Sequence, residues 1–489
     1  MTLWLDFSPT LLLRIKGVKI MEKDKDFLGT EPIGKLLLRL AIPTLAAQLI
    51  NMLYNVVDRI YIGHIPKVGA LALTGVGVCM PLIMIVSAFA VLVGNGGAPR
   101  ASIYMGQNNK EDAEKTLGNC FAAQILVAIV LTIVLLFGNR TFLLAFGASE
   151  NTISYAAAYM NIYAVGTIFV QLTLGLNAFI TAQGFAKTGM LSVLIGAVIN
   201  IVLDPIFIFS LHMGMTGAAL ATILGQIVSF CISLRYMFHF KTIHLKRSSF
   251  RITASHVTNI MKLGACACFN QIAMTVVQIV MNNTLAHYGA LSVYGGDIPL
   301  ACAGIITKVN MIFMSFVIGI SQGIQPIIGF NYGAAKYTRV RKTYLLALAT
   351  ATALSFVAFG CFQLFPRQII SVFGKGSELY FQFSERYFRI YMFLTLINGI
   401  QPVTSNFFNS IGKSSLGVFM SLTRQILFLL PLIIVFPIFM GIDGVMYAGP
   451  IADAATGIVC GIFTIRELKE LKTLSYTSEN AAAASGSAN

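Results

Sequence analysis

The chain has 489 residues, of which 56% are hydrophobic and only 11% charged, with a mean hydropathy of +0.78. A soluble globular domain carries roughly 25% charge, so this chain lacks the charge to cover a water-facing surface. Its length suits a membrane protein of about twelve spans of roughly 20 residues with short loops. The net charge of +15 does not signal nucleic acid, because the Lys and Arg residues sit in short segments between apolar runs, as the positive-inside rule describes. Membrane lipids are expected as partners and nucleic acid is not.

Residues 1–33 read as a cytoplasmic segment. The apolar patch Leu11–Leu13 is short and no small-residue cleavage site follows, so no signal peptide is expected. Met21 opens a more ordinary start, which makes residues 1–20 an upstream extension. Apolar runs bounded by charge, Gly or Pro then predict twelve helices over 34–61, 69–102, 116–138, 153–182, 188–210, 215–239, 257–286, 298–331, 341–365, 382–411, 415–440 and 443–467. A first lobe of six helices occupies 34–240, an inter-lobe linker 241–256, a second lobe of six helices 257–467 and a cytoplasmic tail 468–489. The small-residue end Ala481–Asn489 is expected to be disordered. The expected fold is an all-α membrane protein of two pseudo-symmetric six-helix lobes.

Orientation follows from the basic residues of the connections. Lys110, Lys115, Lys187, Lys241, Lys246, Arg247, Arg251, Lys262, Lys336, Arg339, Arg341, Lys342 and Lys413 fall on one side; Lys67, Arg140, Arg367, Lys375 and Arg386 fall on the other. The richer side is the cytoplasm, and both termini lie there. An internal repeat supports the two lobes. Gly96, Pro99 and Gly106 recur 227 residues later as Gly323, Pro326 and Gly333, and Gly214, Gly217 and Ala221 recur as Gly441, Gly444 and Ala448. Lys187 and Pro205 recur at 226 as Lys413 and Pro431. Six spans separate equivalent points, so the lobes share one orientation, the parallel repeat of alternating-access transporters.

An ionisable residue at the bilayer centre costs about 2.5–3.5 kcal/mol, so each needs a partner, a wet cavity or a task. Asp58 closes the polar stripe Asn51, Tyr54, Asp58 of the first span, although beside Arg59 it could also reach water at a helix end. Asn200 and Asp204, four apart, share one face of the fifth span. Pro205 removes a backbone donor and leaves the Ile201 carbonyl free to accept. An acid, an amide oxygen and a freed carbonyl are hard donors suited to a small cation or a proton relay. Arg424 and Asp453, each about ten residues into antiparallel spans, are expected to form a structural ion pair, with substrate binding as the alternative role. Lys308 either reaches the interface on its long stem or lies in the cavity. Cys266 and Cys268, two apart, point to different helix faces, and the eight cysteines suggest neither a disulfide framework nor a zinc site.

The segments Leu40-Ala41-Ile42-Pro43 and Val56-Val57-Asp58, the Asn200…Asp204-Pro205 segment and Gly214…Gly217-Ala218-Ala219…Ala221-Thr222 resemble the prokaryotic multidrug and toxic-compound extrusion (MATE) transporters. The resemblance covers about residues 30 to 470 and includes the span count and the two-lobe repeat. It implies a cation site in the first lobe made by Asp58, Asn200, Asp204 and Thr222, with Tyr54 and Asn177 as polar neighbours and Asn51 in the same stripe. It also implies a helix bend at Pro43. Some members carry an essential acid in the seventh span, where this chain offers Asn270, Gln271, Gln278, Asn282 and Asn283 but no carboxylate. Coupling is therefore expected to rest on the first lobe alone.

The resemblance implies an antiporter of the prokaryotic cytoplasmic (inner) membrane that exports amphipathic organic cations in exchange for Na⁺ or H⁺, as a monomer. No cofactor and no metal beyond that coupling ion are expected. The alternative is a lipid-linked oligosaccharide flippase of the same superfamily, which needs cationic groups for a pyrophosphate; only Lys308, Arg424 and Arg100 are candidates here. An enzyme is not expected, because no nucleophile-and-base constellation and no His-Glu-x-x-His pair occurs.

Overall fold

The computed structural model describes residues 27–238, 242–243, 247–373 and 377–486. Residues 1–20, Lys241, Lys246, Lys375 and residues 487–489, on which some of these expectations fall, lie outside the described residues.

The described residues form helices and contain no strand. The first half comprises α1 (Ile33–Gly63), α2 (Gly69–Gly106), α3 (Lys110–Ala145), α4 (Ile153–Ala182), α5 (Ala186–Pro205) and α6 (Gly214–Phe238). The second comprises α7 (Ala254–Ala290), α8 (Asp297–Gly333), α9 (Tyr337–Leu364), a broken α10 (Glu378–Tyr391, Thr395–Asn398 and Ile400–Ser410), α11 (Ser414–Leu422, Thr423–Leu429 and Leu430–Met440) and α12 (Ile442–Gly486). Among the described residues, eleven helices are long and apolar enough to cross a membrane, and α10 makes the twelfth.

Local chemistry sets the boundaries. At the start of α3, Asn109 caps the helix by accepting the Asp112 amide at 3.2 Å, and Glu111 and Asp112 sit in the positive first turn. Along α3, Leu126, Ile129, Val130, Ile133, Val134 and Phe137 stay exposed at spacings of one helix face, and Phe137 is 90% exposed. An apolar stripe of that size belongs against lipid tails, not water.

The sequence predicts one span over 382–411, and the structure instead breaks α10 into Glu378–Tyr391, Thr395–Asn398 and Ile400–Ser410. Pro402 has no amide to give the Asn398 carbonyl, and Gly399 carries a helix penalty one turn earlier. Side chains fasten the broken piece: Gln401 Nε2 donates to the Met420 and Ser421 carbonyls at 2.9 and 3.2 Å, and Asn406 Nδ2 to the Ser321 carbonyl at 2.7 Å. At the other end, α12 runs to Gly486, so the start of the small-residue stretch, expected to be disordered, continues a helix.

Each half packs chiefly on itself, with α4 against α2, α3 and α6, α1 against α5, and α11 against α7 and α12. Between halves, α1 crosses α8, and α2 crosses both α7 and α8. The repeated glycines lie at these crossings. A Cβ on Gly106 would strike the Phe330 carbonyl, and one on Gly333 would strike the Ile103 carbonyl, so α2 and α8 approach through reciprocal glycines. Gly96 meets the Ile260 carbonyl of α7 and Gly323 the Ala41 backbone of α1 in the same way. Thr44 Oγ1 donates to the Gly319 carbonyl at 2.7 Å, and Gln48 Nε2 to Gln322 Oε1 at 3.1 Å.

These contacts cluster at the end where the described chain begins. There a short turn, Phe27–Thr30, straps the halves together. Phe27 and Leu28 are buried with Ala186 of the first half and Ile327 and Phe330 of the second. The Leu28 carbonyl accepts from Asn331 Nδ2 at 2.9 Å, and Arg339 Nη2 donates to the Glu31 carbonyl at 2.7 Å.

Candidate functional site

Three helices of the first half bring the predicted polar residues together. Asn51, Tyr54 and Asp58 follow a three-and-four spacing on α1, which packs on α5. Asn200 and Asp204 stack one turn apart on α5, and Thr222 lies on the neighbouring α6. All four proposed ligands are buried: Asp204 is 0%, Asn200 2%, Asp58 7% and Thr222 9% exposed. The alternative of an Asp58 that reaches water at a helix end is thereby corrected, because α1 continues to Gly63 and Asp58 is buried while its neighbour Arg59 faces outward.

Asn200 Nδ2 makes long hydrogen bonds of 3.4 Å to both Asp204 Oδ1 and Thr222 Oγ1. Thr222 gives its own proton to the Ala218 carbonyl at 3.0 Å, which leaves its oxygen as an acceptor. The Asp58 and Asp204 carboxyl groups are neighbours close enough for their charges to act on each other. Asp58 Oδ1, Asp204 Oδ2 and Asn200 Oδ1 are buried without a partner. Buried acceptors are ordinarily paired, and two adjacent carboxylates repel unless a positive charge sits between them. The donor set, two carboxylates with an amide and a hydroxyl oxygen, suits a proton or a small hard cation.

A cavity of about 40 Å³ adjoins this cluster, lined by Asn51, Tyr54, Asn177, Asn200, Thr222 and neighbouring small residues. That volume exceeds the roughly 10–15 Å³ a water molecule needs. Asn177 Oδ1 is held by Ser192 Oγ at 2.9 Å and Ser233 Oγ at 3.1 Å. Asp58 and Asp204 lie about a turn beyond Tyr54 and Asn200, next to the cavity and not on its wall. Pro43 is outside the cluster: it is buried inside α1, beside Thr44 and the crossing with α8. Tyr159 of α4, buried beside Thr222, is a member that the sequence did not disclose, since one Tyr in an apolar span carries no signal of its own.

The second half is built differently. Arg424 Nε donates to Asp453 Oδ1 at 2.5 Å, both residues buried, so the expected ion pair forms. Arg424 lies in the wide-turned stretch Thr423–Leu429 of α11, a helical irregularity often found at functional positions. In α7, Gln278 Nε2 donates to Asn282 Oδ1 at 2.9 Å and Gln271 Nε2 contacts Met84 Sδ at 2.8 Å. Lys308 is exposed, and the Arg100 guanidinium lies 4.7 Å above the Tyr104 ring. No group of three or more potential metal-binding His, Cys, Asp or Glu side chains occurs among the described residues.

Known proteins agree with this architecture. The MatE family model matches residues 43–206 and 266–435, once in each half. The multidrug export protein MepA of Staphylococcus haemolyticus is 22% identical over 453 residues, covering 91% of this chain and 96% of that protein. A FAD transporter of Shewanella oneidensis is 23% identical over 447 residues, covering 90% and 96%. A solved structure of a multidrug resistance MATE transporter in its outward-facing conformation superposes with a TM-score of 0.85 at 21% identity, covering 92% of this chain and 99% of that one. With twelve membrane helices, a crossed two-half architecture and a family match in each half, the chain belongs to the MATE family of membrane transporters.

Proposed function

We propose that the protein is an antiporter that expels amphipathic organic cations in exchange for Na⁺ or H⁺. The observation that carries this reading is the pair of buried carboxyls, Asp58 and Asp204, beside the partnerless Asn200 Oδ1 and a small polar cavity. Burying such acids without a cation is costly, so a site of this kind has a strong tendency to take up positive charge and hold it. Thr222 and Asn200 complete the oxygen set, and Tyr54, Asn51 and Asn177 line the adjoining cavity. Relatives that export drugs support the substrate class.

The mechanism is alternating access. The halves touch at the end where the described chain begins, which we assign to the cytoplasm of a prokaryotic inner membrane, and the site would then be open to the outside. Cation entry from outside shifts α1 relative to α5, with Pro43 as the point where α1 bends, since it denies the Arg39 carbonyl a backbone donor. That motion reshapes the first half and lowers its affinity for drug. The cation must bind one state more tightly than the other, because a ligand that binds both equally shifts nothing.

The test is ethidium efflux from proteoliposomes holding the purified full chain, under an imposed Na⁺ or pH gradient. Efflux driven by an inward cation gradient, with no transport of an uncharged dye of similar size, is the expected result. No gradient-driven movement of any cationic dye from well-folded protein would reject the proposal.

A further inference from the structure

The second half carries a cavity of its own, of about 90 Å³, with Met274, Met281, Tyr387 and Tyr391 on its walls and Gln278 and Arg424 as polar members. The 227-residue repeat carries Asn51 and Tyr54 of the first cavity onto Gln278 and Met281 of the second. In the stretch where the repeat runs at 226, α5, which lines the first cavity, corresponds to the part of α11 that carries Arg424, and Arg424 itself corresponds to Val198. The two cavities therefore occupy corresponding places in the two halves, with opposite chemistry. One adjoins two buried acids, and the other has a buried guanidinium in its wall.

Arg424 is 9% exposed. Its Nε is engaged by Asp453, and Tyr391, whose hydroxyl faces Met281 Sδ, lies beside it. A guanidinium has five N–H donors in a planar fork, so these two neighbours leave donors over at a residue that lines the cavity. Asp453 makes the buried charge tolerable and fixes the plane of the fork. Asn310 Oδ1, also at this cavity, is a buried acceptor without a partner. Met and Tyr walls suit a flat aromatic body: Met adapts its shape, and Tyr offers a ring face with a polar edge.

We propose that this cavity is a second substrate subsite that takes an aromatic compound through its acidic group, a carboxylate or a phosphate. The acidic group shares the Arg424 fork with Asp453, one on each edge, and the ring lies among Met281, Tyr387 and Tyr391. Because Asp453 already balances the guanidinium's charge, the acid is held by the remaining N–H donors and binds reversibly, as a transported compound must. The inference rests on the transport reading above for its purpose, but not for its test.

The experiment is equilibrium dialysis of the purified full chain against two matched probe pairs. One pair is 9-anthracenecarboxylate and 9-(aminomethyl)anthracene; the other is flavin mononucleotide and riboflavin. Arg424→Met alone strands the Asp453 charge and endangers folding, so the decisive variant is the double R424M/D453L, which replaces both partners by apolar groups. The expected result is that at least one acid binds more tightly than its matched partner, and that the double variant loses this preference by tenfold or more while binding of the anthracene amine stays unchanged. Which acid shows it distinguishes carboxylate from phosphate. Acid binding unchanged in the double variant, or acid and amine weakened alike, overturns the subsite. Amine binding without any acid preference in the wild type overturns this inference alone, whereas acid preference without amine binding upholds it and counts against cation export.

Discussion

The carboxyl groups of Asp58 of α1 and Asp204 of α5 are buried neighbours, and each keeps an oxygen that no protein group satisfies. Neither residue alone is unusual for a transporter. Their juxtaposition, with Asn200 and Thr222 supplying further oxygens, underlies the proposal that a cation is the missing partner.

That partner should appear as stability. A ligand that binds only the folded site adds about 2.7 kcal/mol at one hundred times its dissociation constant. In Na⁺-free alkaline buffer, adding Na⁺ or protons should raise the melting temperature of the wild type and leave that of Asp204→Asn flat. Thermal unfolding of the two proteins across an ion titration checks this. An equal rise in both would place the binding elsewhere.

The reciprocal glycines of α2 and α8 should set the closed end. A Val at Gly106 or at Gly333 puts a Cβ onto the opposing carbonyl, and such overpacking costs about 1–3 kcal/mol. The state seen here should lose population. Gln48→Cys with Gln322→Cys, at a position where the native side chains bond at 3.1 Å, reports it through disulfide yield. The yield should fall when Gly106→Val is added.

Arg339 should hold the N-terminal strap. It donates to the Glu31 carbonyl at 2.7 Å and to the Leu28 carbonyl at 3.3 Å, and hydrogen bonds from charged donors are worth about 1.5–3 kcal/mol each. Arg339→Ala should lower the melting temperature, whereas Arg341→Ala, on the same helix with its side chain exposed, should change it little. Parallel melting curves decide.

The Arg424–Asp453 pair makes a separate stability prediction. Removing one partner of a buried pair costs about 3–5 kcal/mol, while replacing both by apolar groups is often neutral. Asp453→Leu and Arg424→Met should each melt well below the wild type, and the double substitution should recover most of the loss. A double as unstable as either single would mean that the wide turn of α11 needs the charge itself.

Much of this was legible in the sequence, for identifiable reasons. The α1 stripe and the Asn200–Asp204 spacing follow helix periodicity, which fixes faces without reference to the rest of the fold. The repeat pointed to Gly106 and Gly333, but their reciprocal seating on Phe330 and Ile103 requires knowing that α2 crosses α8. Tyr159 was invisible because its role comes from α4 packing on α6, a tertiary fact. The break in α10 was signalled by Gly399 and Pro402 but outweighed by the length of the apolar run. Whether Asp58 faced water or the interior could not be read locally, since only the continuation of α1 to Gly63 and its packing on α5 decide it.

The most direct test of the central claim compares wild type and Asp204→Asn in proteoliposomes, following ethidium under an imposed Na⁺ gradient, an imposed pH gradient and no gradient. Wild type should move dye against its own concentration gradient under one of the two ion gradients, and Asp204→Asn should at most equilibrate it. Uphill ethidium transport preserved in Asp204→Asn would contradict coupling through the buried acid pair.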